Sequence, residues 1–171
     1  MPLQSTDFEL FDLPARYGQD LAVLDARWKA LQRQAHPDKF AAEGPAAQRV
    51  AAQWSARINE AYRRLKDPLQ RAAYLCELHG SPINAENNTA MPAAFLMQQM
   101  QLREQADEAR SPADFDALEA LASQMQRDMQ RTLEQQIDVA QDWAAAAQSV
   151  RALMFLHKLG DDIDRRRDAH A

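Results

Sequence analysis

Two apolar stripes at helical spacing, divided by two prolines, constrain this chain's fold more than any other feature. Leu21, Leu24, Trp28, Leu31 and Ala35 recur at intervals of three and four, so they lie along one face of a helix. Pro37 disfavours helical geometry at the residue before it, which ends that helix at or just before His36. Beyond Gly44-Pro45 a second stripe, Val50, Trp54, Ile58, Ala61 and Leu65, predicts a helix close enough in the chain to return antiparallel. The expected product is a helical hairpin with His36-Pro37-Asp38 in a loop at its tip. Asp67 as N-cap and Pro68 at the first helical position then open a third helix, which Gly80 closes.

Arg27, Lys29 and Arg33 fall off the first stripe and are expected to face water, and Lys39 directly follows the tripeptide. Such a basic strip is either an ordinary solvated face or a surface that steers the module onto an acidic partner. A net charge of −5 argues against nucleic acid as that partner. His36 invites a general-base or metal reading because imidazole titrates near neutrality. Against it, no second ligand stands four residues on and no Ser or Cys nucleophile is indicated. Pro37 fixes the backbone, and Asp38 can accept charge-assisted hydrogen bonds from a partner arginine.

A basic amphipathic helix, His36-Pro37-Asp38, and the later run Ile58-Asn59-Glu60-Ala61-Tyr62-Arg63-Arg64-Leu65-Lys66-Asp67-Pro68 together resemble a J domain, the module that docks on an ATP-driven chaperone and switches on its ATPase. The resemblance implies that the chemistry belongs to the partner. His36, Pro37, Asp38, Arg27, Lys29, Arg33 and Lys39 are then chaperone-binding residues, and the chain is not itself an enzyme.

Only four glycines, set among many Ala, Gln, Leu, Arg and Glu, favour helix throughout, and no strand pattern emerges. A chain of 171 residues with 46% hydrophobic content can bury a core in one or two small domains. No apolar run approaches the ~18 residues of a membrane span, and Met1 to Asp7 lacks a signal peptide's basic and apolar regions, so the expected location is the cytoplasm. Cys76 stands alone, with no CxxC pair to hold zinc, and is expected to be a small buried apolar residue. Neither a metal nor a cofactor is expected. His79 is expected to cap a helix end, His157 to be a satisfied core histidine, and His170 to lie in a frayed tail from Asp161 to Ala171.

Charge divides unevenly: residues 1–80 carry 11 Lys and Arg against 10 Asp and Glu, residues 81–171 carry 9 against 15. This suggests two domains with different partners, residues 1–80 and 92–171, joined by a turn-rich linker over 81–91. The second domain reads as three helices in one bundle: the first over about Pro92 to Ala109, the second opening with Ser111 as N-cap and Pro112, the third from near Asp142 to Gly160 or beyond. Phe115, Leu118, Ala122, Met125, Met129 and Ile137 form the second helix's stripe.

On the first of these helices Phe95, Leu102, Ala106 and Ala109 lie within about 40° of one line. Leu96, Met97 and Met100 lie roughly 100–200° away, on the side of Glu104, Asp107 and Glu108. On the third helix Phe155 points about 140° from Val150. These four misplaced apolar side chains either pack against a neighbouring element or form a protein-binding patch, for which flexible Met and rigid aromatics are suited.

Beyond the J-domain motif, Phe8-Glu9-Leu10-Phe11-Asp12-Leu13-Pro14-Ala15-Arg16-Tyr17, Arg71-Ala72-Ala73-Tyr74-Leu75 and Phe95-Leu96-Met97-Gln98-Gln99-Met100-Gln101-Leu102-Arg103-Glu104 resemble the HscB family, J-type co-chaperones of iron-sulfur cluster biogenesis. The resemblance implies an all-α chain with an N-terminal J domain and a C-terminal three-helix bundle that delivers the scaffold IscU to the chaperone HscA. It further implies that Leu96, Met97, Met100, Glu104, Glu108 and Phe155 are scaffold-binding. Gln101 departs from the family, which commonly has an acid there. The lack of a Cys-rich N-terminal extension resembles the bacterial members. The alternative is a J-domain adaptor that brings another client to a DnaK-type chaperone.

Overall fold

The computed structural model describes residues 3–84 and 91–171, and among them every regular element is helical. Packing divides the chain into two compact units, Met1–Leu75 and Cys76–Ala171. The expected linker over 81–91 includes residues 85–90, which lie outside the described residues.

In the first unit a short helix α1 (Asp7–Leu10) is held by a capping box between Thr6 and Glu9. Helix α2 (Leu21–Ala35) opens on Asp20, whose carboxylate accepts from the backbone N–H groups of Ala22 and Val23. A 3-10 helix (Pro37–Glu43) leads to Gly44, whose φ of 99° turns the chain into α3 (Pro45–Lys66). Helix α4 (Pro68–Leu78) begins as expected, with the Asp67 carboxylate accepting from the Leu69 N–H at 2.9 Å, and Gly80 follows it at φ 80°.

α2 and α3 pack as an antiparallel pair whose seam is polar as well as apolar. Trp28 stacks on Tyr62 with ring centroids 4.6 Å apart and donates from Nε1 to Asn59 at 3.0 Å. Gln32 bridges Asn59 and Ser55, and the Tyr62 hydroxyl donates to Asp25 at 2.5 Å. Residues 25, 28 and 32 thus meet 62, 59 and 55, which fixes register as apolar contacts alone would not. Beneath α1, the Asp7 carboxylate is buried between Arg57 and Arg64, 2.8 Å from each. Arg71, also buried, donates to the carbonyls of Tyr17 and Leu65 at 2.6 Å.

Of the expected stripes Leu24, Ile58, Ala61 and Leu65 are core, Trp28, Leu31, Ala35 and Trp54 are half-buried, and two members are exposed. Leu21 is exposed on the first turn of α2, beyond the point where Lys66, the last residue of α3, meets Asp25. Val50, 53% exposed, sits on the rim of an open apolar hollow of about 650 Å3 that is also lined by Leu31, Phe40 and Trp54.

The second unit contains α5 (Ala93–Glu108), α6 (Pro112–Glu134), a π-helical turn (Gln135–Val139) and α7 (Trp143–His170). Ser111 and Asp114 form the capping box that starts α6. Leu102, Ala106, Phe115, Leu118, Ala122, Leu159 and Ile163 interlock in one apolar cluster. Leu133 is also fully buried on α6, a core position the expected stripe omitted, whereas Met125 and Met129 are only half-buried.

The expected frayed tail is helical to His170. Arg166 pairs with Asp107 and Asp162, and Arg167 pairs with Asp116 and Glu119 at 2.7 Å, so cations in the last turns are tied to α5 and α6. His170 Nδ1 donates to the Arg166 carbonyl, 2.8 Å away, and the ring tilts over Phe115. His79 stacks on Trp143, centroids 3.7 Å apart and planes within 8°, and its backbone N–H donates to the Cys76 carbonyl at 3.2 Å at the end of α4. His157 is not a satisfied core histidine: it is half-buried, and its Nε2 is shielded from solvent with no hydrogen-bond partner among the described residues. Cys76 is fully buried, as expected, and burial pushes its thiol up to about 11, so it is a packing residue rather than a nucleophile.

Candidate functional site

Two surfaces carry the residues singled out by the sequence, one in each unit. At the hairpin corner, His36 ends α2 in extended geometry, and its Nδ1 accepts the Asp38 backbone N–H at 3.2 Å. That contact places the ring's proton on Nε2. The Asp38 carboxylate lies 3.6 Å from the same nitrogen, and both side chains are mostly exposed. The tripeptide is not the open loop expected. Pro37, with its φ already fixed, starts the 3-10 helix, and the His36 carbonyl accepts from the Lys39 N–H at 3.0 Å. His36 and Asp38 are therefore held in a rigid corner.

Lys29, Arg33 and Lys39 are exposed, as expected of a positive strip. Arg27 is not a freely solvated member of it. Its guanidinium donates to the carbonyls of Phe11 and Asp12, the former at 2.8 Å, and pairs with the Asp12 carboxylate at 3.6 Å. Sequence phase put Arg27 off the apolar line, but the segment after α1 folds back over that flank and supplies acceptors. Asp12 itself adopts a left-handed backbone, φ 51°, at this bend.

The other surface is on α5. Phe95, Gln99, Leu102 and Ala106 face the bundle, with Gln99 a buried polar residue on the line the sequence assigned to apolar ones. Leu96, Met97 and Met100 are 41%, 63% and 71% exposed, so they pack into no described core. Glu104 and Glu108 continue the face toward the C-terminal end of α5, exposed and without an ion-pair partner among the described residues. Glu108 also borders a shallow groove with Gln105, Leu118 and Leu121, the last an exposed apolar residue on α6. Gln101 is exposed and neutral. Phe155 differs from the trio: it is half-buried on α7, with the Lys158 ammonium 5.8 Å from its ring centroid.

Sequence reasoning missed three residues that tie the elements of the first unit together, Asp7, Asn59 and Arg71. Asn59 was detectable, because the polar positions 55, 59 and 62 repeat at the same three-to-four spacing as 25, 28 and 32 on the facing helix. Asp7 and Arg71 pair with distant parts of the chain and leave no local signal.

Residues 91–164 match the profile of a family described as the HSCB C-terminal oligomerisation domain. The co-chaperone protein HscB homolog of Bordetella petrii is 52% identical to this chain, the match spanning 95% of this chain and 96% of that one. The homolog of Burkholderia multivorans is 47% identical over 94% and 93%. Among solved structures, chaperone HscB from Vibrio cholerae superimposes with a TM-score of 0.83 at 36% identity, covering 98% of this chain and all of that one. Human co-chaperone protein HscB gives 0.90 at 25% identity over 98% and 84%.

Proposed function

Because this chain belongs to the HscB family of co-chaperones, we propose that it stimulates the ATPase of an HscA-type chaperone and brings to it an IscU-type scaffold for iron-sulfur cluster transfer. The first unit supplies a J domain. His36 and Asp38 stand at its corner in fixed geometry, and Lys29, Arg33 and Lys39 offer positive charge beside them. Long-range attraction by such a strip accelerates encounter and sets orientation, while the corner makes the short-range contacts. Asp38 can accept from a partner arginine and His36 Nε2 can donate to a partner acceptor. Pro37 keeps the two at constant separation, so contact free energy is not spent on ordering them.

The second unit supplies the scaffold site, with Leu96, Met97 and Met100 as apolar centre, Glu104 and Glu108 as acidic rim, and Phe155 as a partly covered neighbour. The observation that carries the reading is the exposure of that trio on a helix whose opposite face already fills the bundle core. An unpartnered apolar spot rimmed by charge is what a transient protein interface requires. The site of action is the cytoplasm; no helix among the described residues is long and apolar enough to cross a membrane.

Steady-state ATPase of a purified HscA-type chaperone tests the proposal, measured with this protein alone, with an IscU-type scaffold alone, and with both. Stimulation by the protein alone that rises further with the scaffold is the expected result. Stimulation of a DnaK-type chaperone with no response to scaffold would instead assign the patch to another client.

A further inference from the structure

We propose that Met97 and Met100 make the α5 patch oxidant-sensitive: a peroxide converts their thioethers to sulfoxides and thereby releases the scaffold. The inference rests on the scaffold reading above and adds regulation to that site. Both sulfurs belong to side chains that are more than three-fifths exposed, whereas Met91, Met125, Met129 and Met154 are half-buried. The pair stands three residues apart on one helix, so both thioethers lie on the same open apolar face as Leu96.

In the reaction a sulfur lone pair attacks one oxygen of hydrogen peroxide, the O–O bond breaks, and a proton shift leaves water. Sulfur is oxidised to the sulfoxide and the peroxide is reduced, with no further reactant. The product is polar and accepts hydrogen bonds, so a patch that had gained from leaving water must now desolvate two strong acceptors on binding. The chain's one thiol does not compete effectively. Cys76 is fully buried, and burial raises its pKa, which keeps the reactive thiolate scarce. Sulfoxides are returned to thioethers by thiol-dependent reductases, so the change is reversible where a buried-cysteine oxidation would disrupt the core.

The test treats the full chain with dilute hydrogen peroxide, locates added oxygen by peptide mass mapping, and measures affinity for an IscU-type scaffold by titration calorimetry before and after treatment. The expected result is oxygen first at Met97 and Met100, unchanged helicity, and binding weakened at least about tenfold, restored by methionine sulfoxide reductases. The double variant M97L/M100L is compared only with itself: its affinity, whatever the starting value, should not change on treatment. Loss of binding by the treated variant would overturn the inference, because the sensitive group would then lie elsewhere. So would oxidation of both methionines with no change in affinity, or their resistance while half-buried methionines react. Failure of the untreated protein to bind any scaffold would overturn the scaffold reading itself, and this inference with it.

Discussion

The two units invert one another in how they use charge and apolar surface. The first holds itself together with buried polar links, Asp7 between Arg57 and Arg64 and Arg71 on two carbonyls, and with the half-buried Trp28–Asn59 and Tyr62–Asp25 contacts, and shows charge at its working corner. The second builds its core from Leu, Ala and Phe and shows apolar residues at its working face. The contrast teaches which residues can be spared for function. In the first unit a cation is as often a fastener as a contact, as Arg27 demonstrates. In the second an exposed apolar side chain contributes little to folding and is free for recognition.

The largest effect that would break this contrast lies at Asp7. Asp7→Asn leaves two arginines in a partly buried site without their carboxylate, and removing one partner of a buried pair costs about 3–5 kcal/mol. Urea unfolding followed by the Trp28 and Trp54 fluorescence should show the first unit destabilised by that order. A loss under about 1 kcal/mol would mean that the polar interior is dispensable.

The joint variant L96A/M97A/M100A/F155A comes next. It should lose scaffold affinity at least a hundredfold, about 2.7 kcal/mol, while the three α5 changes alone cost under about 0.5 kcal/mol each in stability. Phe155, half-buried, should account for most of any stability loss. Large individual losses at Leu96, Met97 or Met100 would identify them as packing residues instead.

Smaller effects separate Arg27 from its neighbours. Arg33→Glu with Lys39→Glu should slow chaperone association several-fold, more so at low salt because exposed charges are screened over ~10 Å at 0.1 M, with no change in melting temperature. Arg27→Glu should lower melting temperature as well, since it breaks contacts to Phe11 and Asp12. Equal behaviour of the three would erase the distinction between fastener and contact.

The smallest effect is the pH response of the α6 start. Backbone hydrogen bonds from Arg110 and Ser111, then the Ser111 hydroxyl, hold the Asp114 carboxyl below the usual carboxylate range. A depressed pKa gives stability that is present above the ordinary carboxylate value and lost as pH falls through the lower, folded one. Asp114→Asn should therefore flatten the acid limb of the second unit's melting profile, and an unchanged acid limb would remove Asp114 from the helix start.

The hairpin, the Asp67-Pro68 and Ser111-Pro112 helix starts and the exposed trio on α5 were legible because each rests on spacing or on neighbours within one turn. The 3-10 helix after Pro37 was not, since the hydrophobic period there is too short to distinguish it from a loop. The π-helical turn at 135–139 was not either: it takes in Ile137, the last residue of the expected stripe, and the spacing up to that residue does not distinguish it from α-helix. The helical tail was missed because Asp107, Asp116 and Glu119, the carboxylates that tie Arg166 and Arg167 to other helices, lie about fifty to sixty residues upstream. At the candidate sites, exposure on α5 followed from helical phase, whereas Arg27 was decided by the segment after α1, which phase does not see.

That function sits in two separable surfaces is tested most directly by His36→Gln in the ATPase assay of an HscA-type chaperone, with scaffold binding and melting temperature measured on the same sample. Among the described residues the exposed ring makes one hydrogen bond, accepted from the Asp38 N–H, so its replacement should cost little stability. The account predicts loss of ATPase stimulation with scaffold affinity and melting temperature unchanged. Full stimulation by the variant, or a fall of several degrees in melting temperature that carries scaffold binding down with it, would contradict it.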